Sequence, residues 1–128
     1  MGAPKFTKFE MQIMETLWER GACPIRDIQE AFPEEERPAY TTVQTIIYRL
    51  EEKKVVRRLH KIGNAHLFEA VVSRKTAHRK LVDEFLALFG GRTQPVIARF
   101  IESGKFTMAD VREAEKIIQK LGAQKKKR

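Results

Sequence analysis

Residues 38–70 impose two different elements in immediate succession. In Pro38-Ala39-Tyr40-Thr41-Thr42-Val43-Gln44-Thr45-Ile46-Ile47-Tyr48-Arg49-Leu50, the residues Val43, Ile46, Ile47 and Leu50 recur at the i, i+3, i+4, i+7 spacing of a buried helical stripe. Thr41, Thr45, Tyr48 and Glu52 fall on the opposite side, with Gln44 at its edge. That outer face is rich in hydroxyls and carries an amide near its N-terminal end. A basic segment follows at once. Val55-Val56-Arg57-Arg58-Leu59-His60, a turn at Ile62-Gly63-Asn64 and Ala65-His66-Leu67-Phe68-Glu69-Ala70 read as a hairpin.

The segment before it supplies two further helices, the second of them short. Thr7 as N-cap and Glu10 three residues later form a capping box, and Phe6 with Met11 suits a hydrophobic staple. Ile13, Met14, Leu17 and Trp18 continue the inward face, and Gly21 is expected as a left-handed cap. Cys23 to Phe32 reads as a second helix with Pro24 in its first turn. Ile25, Ile28 and Phe32 face inward, and Pro33 stops it. The order is helix, helix, helix, hairpin. A three-helix core is small, and a hairpin would cover its open edge. This is the plan of a winged helix-turn-helix.

Charge sharpens the reading. The formal net charge is +8, which favours polyanionic partners. Residues 1–72 carry 11 basic and 11 acidic side chains, whereas residues 73–128 carry 14 and 6. The N-terminal half is therefore polarised rather than basic. Glu34-Glu35-Glu36 form an acidic knot; Arg49, Lys53, Lys54, Arg57, Arg58 and Lys61 form a basic one, interrupted by Glu51 and Glu52. A local field, not net charge, would attract phosphate here.

A domain boundary is expected at Val71-Val72-Ser73. Ser73 is the expected N-cap of a helix over Arg74–Phe89, closed by Gly90-Gly91. Thr93-Gln94-Pro95 opens another helix through Ile101, and Thr107-Met108-Ala109-Asp110 opens a third that buries Val111, Ala114, Ile117, Ile118 and Leu121. Three short amphipathic helices make a poor independent core. A second copy related by two-fold symmetry is the simplest cover. The expected fold is thus mainly α with a small β-hairpin. Residues 1–72 form the winged helix-turn-helix, residues 73–122 a helical dimerisation domain, and residues 123–128 a basic, frayed tail. Leu81, Phe85, Leu88, Phe89, Val96, Ile97, Val111, Ile118 and Leu121 are the expected dimer contacts. The alternative is that these helices fold back on the first domain in a monomer.

Double-stranded DNA is the expected partner. A helix fits the major groove, and short polar side chains reach base edges and phosphates. Thr41, Thr42, Gln44 and Thr45 are expected to read bases or adjoining phosphates. Tyr40, Tyr48 and Arg49 would position the helix. Arg57, Arg58 and Lys61 would hold the backbone from the wing, so that replacing Arg58 weakens all sequences alike. The competing class is a winged-helix protein-interaction module without DNA binding, and the balanced charge of residues 1–72 is its support.

Other chemistry finds little footing. His60, His66 and His78 form no known ligand spacing, and no Gly-rich phosphate loop or nucleophile elbow occurs. Neither catalysis nor a cofactor is expected. Cys23 is the one cysteine, so no internal disulfide forms. It reads as a small buried residue, with a redox sensor as the alternative. No apolar run approaches the roughly 20 residues of a membrane span. The N-terminus lacks a secretion signal, and Phe6 stands where Met1-Gly2 would need Ser or Thr for myristoylation. A cytoplasmic location is the expectation.

The chain resembles the penicillinase and methicillin-resistance repressors of the BlaI/MecI/CopY type. The resemblance rests on Thr7-Lys8-Phe9-Glu10-Met11-Gln12-Ile13-Met14-Glu15-Thr16-Leu17-Trp18 and Pro24-Ile25-Arg26-Asp27-Ile28. It continues through the Thr-rich third helix ending Tyr48-Arg49-Leu50-Glu51-Glu52-Lys53 and the hairpin through Phe68-Glu69-Ala70. It implies a homodimeric repressor on a dyad operator. It also implies, for the antibiotic-responsive branch, a membrane sensor with a protease domain that triggers cleavage in the helical domain. The counterpart region is Ala98-Arg99-Phe100-Ile101. The copper-responsive branch carries a C-terminal pair of Cys-x-Cys motifs, whereas this chain ends Lys125-Lys126-Lys127-Arg128.

Overall fold

A computed structural model describes residues 6–126. Met1-Gly2 and the Lys127-Arg128 end of the tail lie outside the described residues. The elements are α1 (Lys8–Arg20), α2 (Ile25–Glu30), a 3-10 turn (Glu34–Glu36), α3 (Tyr40–Glu52), β1 (Val56–Ile62), β2 (Ala65–Ala70), α4 (Arg74–Ala87), α5 (Gln94–Glu102) and α6 (Met108–Lys126). The chain divides into two compact units, Met1–Glu84 and Phe85–Arg128, with the division inside α4.

The first unit is the winged helix-turn-helix. Its core draws Ile13, Met14 and Leu17 from α1, Ile25 and Ile28 from α2, and Val43, Ile46, Ile47 and Leu50 from α3. Val55, Val56 and Phe68 close it from the hairpin. Each such aliphatic or aromatic side chain contributes about 1.5–3 kcal/mol by leaving water. The stripe expected on α3 is the stripe that is buried.

Local chemistry fixes the helix ends. In the α1 capping box, Thr7 N–H donates to Glu10 Oε1 at 2.8 Å and Glu10 N–H donates to Thr7 Oγ1 at 3.2 Å. Gly21 is not the left-handed cap expected. Its φ of 80° comes with ψ of −160°, an extended mirror-image region open essentially to glycine alone. The chain leaves α1 extended because Cys23 must pair with the wing. Cys23 N–H donates to Phe68 O at 3.1 Å, and Phe68 N–H donates to Cys23 O at 3.0 Å. Cys23 therefore lies in a bridge rather than a helix, and α2 begins two residues later, behind Pro24 as N-cap.

The end of α3 is a Schellman motif. Lys54 is left-handed at φ 65°, and Val55 N–H donates back to Leu50 O at 3.2 Å. Buried Leu50 and Val55 supply the apolar residues that accompany this motif. The hairpin pairs Val56 with Ala70, Arg57 with Glu69 and Arg58 with Phe68, then shifts register before Lys61–His66 and Ile62–Ala65. Ile62 is thus the last strand residue, not part of the turn. The turn is Gly63-Asn64. Of the two, only Gly63 has positive φ, the pattern of a type II′ turn.

The root of α4 is tied to α1. Trp18 Nε1 donates to Val72 O at 2.8 Å. Glu15 takes Arg74 at 3.2 Å and His78 at 2.9 Å. Ala77 is fully buried, and Ser73 Oγ accepts from Thr76 N–H at 3.1 Å as the expected cap.

In the second unit, Thr107 and Asp110 cap α6 reciprocally. The Thr107 backbone N–H, then its hydroxyl, holds the Asp110 carboxyl below its ordinary value. The helix continues past Ala123, into the expected tail, as far as Lys126. The burial expected along it is not found. Val111 and Ala114 are half-buried, whereas Ile117, Ile118 and Leu121 are exposed. Three short helices cannot cover one another's apolar faces, and Leu88 is 82% exposed.

Candidate nucleic-acid interface

The polar side of α3 faces solvent. Tyr40, Thr41, Thr42, Thr45, Tyr48 and Arg49 are exposed, and Gln44 is half-buried at the margin of that face. The side chains are already partly ordered. Gln44 Nε2 donates to Tyr48 Oη at 3.1 Å, and Thr45 Oγ1 donates to Thr41 O at 2.9 Å. Gln44 retains one N–H and its carbonyl oxygen, the pair that an adenine edge requires.

A cleft of about 510 Å³ extends this face. It brings Tyr40, Gln44 and Tyr48 of α3 together with Arg26 of α2 and with Asn64 and His66 at the wing tip. A shallower depression of about 390 Å³ is formed by Thr41, Thr42, Thr45, Ile46 and Arg49. Helix and wing therefore flank one concave surface. Arg26, Asn64 and His66 are missing from the site expected on sequence grounds. Their only signals are the turn chemistry at Asn64 and a basic residue beside Pro24-Ile25, neither specific.

The basic knot is less free than its sequence suggests. Arg57 meets its cross-strand partner Glu69, with Nε at 2.6 Å from Oε2. Arg58 forks onto Glu51 at 3.0 and 3.2 Å. Its guanidinium also lies over the rings of Tyr48, 5.1 Å from the centroid, and Phe68, 5.3 Å. Lys53 donates to the buried carboxylate of Glu10 at 2.8 Å. Burial pushes the Glu10 carboxyl up, but the Lys53 ammonium and the Thr7 N–H and hydroxyl outweigh it and hold the group below its ordinary value. Among the described residues, Arg49 and Lys61 take part in no ion pair. Both are exposed.

Cys23 sits under this surface and is 6% exposed. Burial first, then the nearby Asp27 carboxylate, push its thiol up against the opposing pull of Arg20. A protonated, enclosed thiol is a poor nucleophile. No group of three or more His, Cys, Asp or Glu able to hold a metal occurs among the described residues. No described helix is long and apolar enough to cross a membrane.

Of the residues expected at a dimer contact, Phe85, Leu88, Phe89, Ile97, Ile118 and Leu121 are exposed, and Leu81, Val96 and Val111 are half-buried. Phe85 and Phe89 stack edge to face at 5.1 Å.

Among solved structures, the chain is similar to BpsR of Bordetella bronchiseptica, whose DNA binding is regulated by 6-hydroxynicotinic acid. The identity is 21%, over 95% of this chain and 83% of that one, with a TM-score of 0.48. It is also similar to a cysteine-to-serine mutant of ZitR from Lactococcus lactis. There the identity is 12%, over 96% and 80% of the two chains, with a TM-score of 0.41. No curated protein matches the chain. The sequence model of the family described as penicillinase repressor matches residues 6–120, which span α1 to α6, so the chain belongs to the penicillinase repressor family of winged-helix, DNA-binding transcriptional repressors.

Proposed function

We propose that two copies of this chain, joined through residues 73–122, repress transcription in the cytoplasm by laying α3 into successive major grooves of a palindromic operator. The observation that carries this is the division of α3. Val43, Ile46, Ile47 and Leu50 are sealed in the core, while Tyr40, Thr41, Thr42, Thr45, Tyr48 and Arg49 stand in solvent. Gln44, Thr41, Thr42 and Thr45 read base edges or adjoining phosphates, and Tyr40 and Tyr48 seat the helix. Phosphate contact runs chiefly through Arg49 and Lys61, which take part in no ion pair among the described residues. Arg57 joins them by exchanging Glu69 for a phosphate. The exposed apolar residues from Phe85 to Leu121 support dimerisation, because large apolar side chains left in solvent in this number call for a partner.

A symmetric dimer predicts half-sites about 34–36 Å apart, or a multiple of that distance. Release of the operator by a signal-triggered protease, the route implied by the family resemblance, would act near Arg99-Phe100. Phe100 is half-exposed, but the bond lies within α5, so local unwinding must precede cleavage. The test of the main reading is selection from a random duplex pool, paired with sedimentation of the free protein. The expected result is a palindromic consensus bound by a dimer. A pool that remains random after selection would reject it.

A further inference from the structure

We infer that Arg58 is a positioning residue that sets base preference through Tyr48 and Gln44, rather than an anchor for the DNA backbone. The inference rests on the reading of α3 as the DNA-reading helix. It starts from the surroundings of the guanidinium. Arg58 is paired across the hairpin with Phe68, a core residue only 2% exposed whose backbone is bonded on both sides to Cys23. The stem of Arg58 therefore starts from a fixed point. From there its head turns toward α3, while the residue as a whole remains exposed. It forks onto both oxygens of Glu51 and covers the Tyr48 ring, with side-chain exposure of 35%.

Tyr48 and Glu51 are three residues apart, so they share one side of α3. A single guanidinium bridges them because it is planar: its edge donates two hydrogen bonds while its face stacks on a ring. The clamped Tyr48 in turn accepts from Gln44 Nε2 at 3.1 Å. A free glutamine amide samples many orientations, and only one matches an adenine edge. Tethering one N–H to a held phenol selects the rotamer and leaves the remaining N–H and the carbonyl for a base edge. The relay runs Phe68–Arg58–Tyr48–Gln44, from the core to the reading atoms. Because Glu51 neutralises Arg58 within the protein, the residue contributes little to counterion release.

The two roles separate in two measurements on the full chain: the slope of log affinity against log salt on random duplex, and the ratio of affinity for the selected duplex over random duplex. Arg58→Lys keeps the charge but loses the fork and the stack. The positioning role predicts an unchanged slope and a roughly tenfold fall in the ratio, confined to the base pair read by Gln44. Glu51→Gln tests the same clamp from the other side. It should lower the ratio similarly while steepening the slope, because the cation is released. Arg58→Met should again lower the ratio and spare the slope, whereas Lys61→Met should flatten the slope by about one and spare the ratio. Thermal melts confirm that each variant is folded.

An anchoring Arg58 gives the opposite pattern. Lysine then substitutes freely, methionine flattens the slope by about one, and Glu51→Gln strengthens selected and random duplex alike. Any of these overturns the inference while leaving α3 as the reading helix. A wild-type chain with no salt-dependent duplex binding removes the reading beneath it as well.

Discussion

The carboxylate of Glu10, 1% exposed at the start of α1, holds the ammonium of Lys53 at 2.8 Å, at the C-terminal end of α3. The same carboxylate completes the α1 capping box through Thr7 N–H. One buried group thus ends one helix and begins another. Glu10→Ala is expected to destabilise the winged-helix unit by on the order of 2–3 kcal/mol, less than a fully buried pair because Lys53 retains some solvent. Urea denaturation followed by Trp18 fluorescence measures it. A loss under about 0.5 kcal/mol would mean that the pair is no more than a surface contact.

That pairing carries a pH signature. The folded Glu10 carboxyl lies below its ordinary value of 4.5, so the unfolded chain binds this proton more readily. The contribution of Glu10 is fully present above about pH 4.5 and fades as the pH falls through the lowered folded value. The stability gap between the wild type and Glu10→Gln should therefore be widest near neutrality and close with acidification. A gap that widened toward acid would reverse the assigned shift.

Lys54 occupies the left-handed position that glycine usually takes after a helix. A side chain there costs about 1–2 kcal/mol of local strain. Lys54→Gly should raise stability by about 1 kcal/mol in the same urea assay. Lys54→Ala, which keeps a Cβ, should not.

Cys23 should react slowly. Its thiol is enclosed and pushed up by burial and by Asp27. Alkylation of the native protein at pH 8 is expected to be far slower than in denaturant, and Cys23→Ser should bind the selected duplex as the wild type does, with or without oxidant. Rapid native labelling would restore the redox alternative.

Ile118 and Leu121 present unpartnered apolar surface on α6. On the proposed dimer and operator, Ile118→Asp combined with Leu121→Asp should give a monomer by sedimentation and weaken palindrome binding by more than tenfold. The melt of the winged-helix unit should not move. Unchanged sedimentation would locate the contact elsewhere.

Much of the fold is legible in the sequence because it is written over short distances. The period of Val43, Ile46, Ile47 and Leu50 needs only a helix to become a buried stripe. The Thr7–Glu10 box and the Gly63-Asn64 turn depend on a few residues each. The exposed polar face of α3 follows from the same period, since one side inward leaves the other outward. Cys23 reads as helical in the sequence because its partner, Phe68, lies 45 residues away and nothing local marks the bridge.

The order of elements and the polar side of α3 are therefore properties of the chain alone, since both rest on spacing along one segment. Which charges remain available is a property of the folded arrangement. Arg57, Arg58 and Lys53 look alike in the sequence, yet each faces a carboxylate brought in by the fold: Glu69 from β2, Glu51 from α3 and Glu10 from α1. Coulomb energy depends on distance through space, so the field of the wing exists only once the three helices and the hairpin have closed on each other.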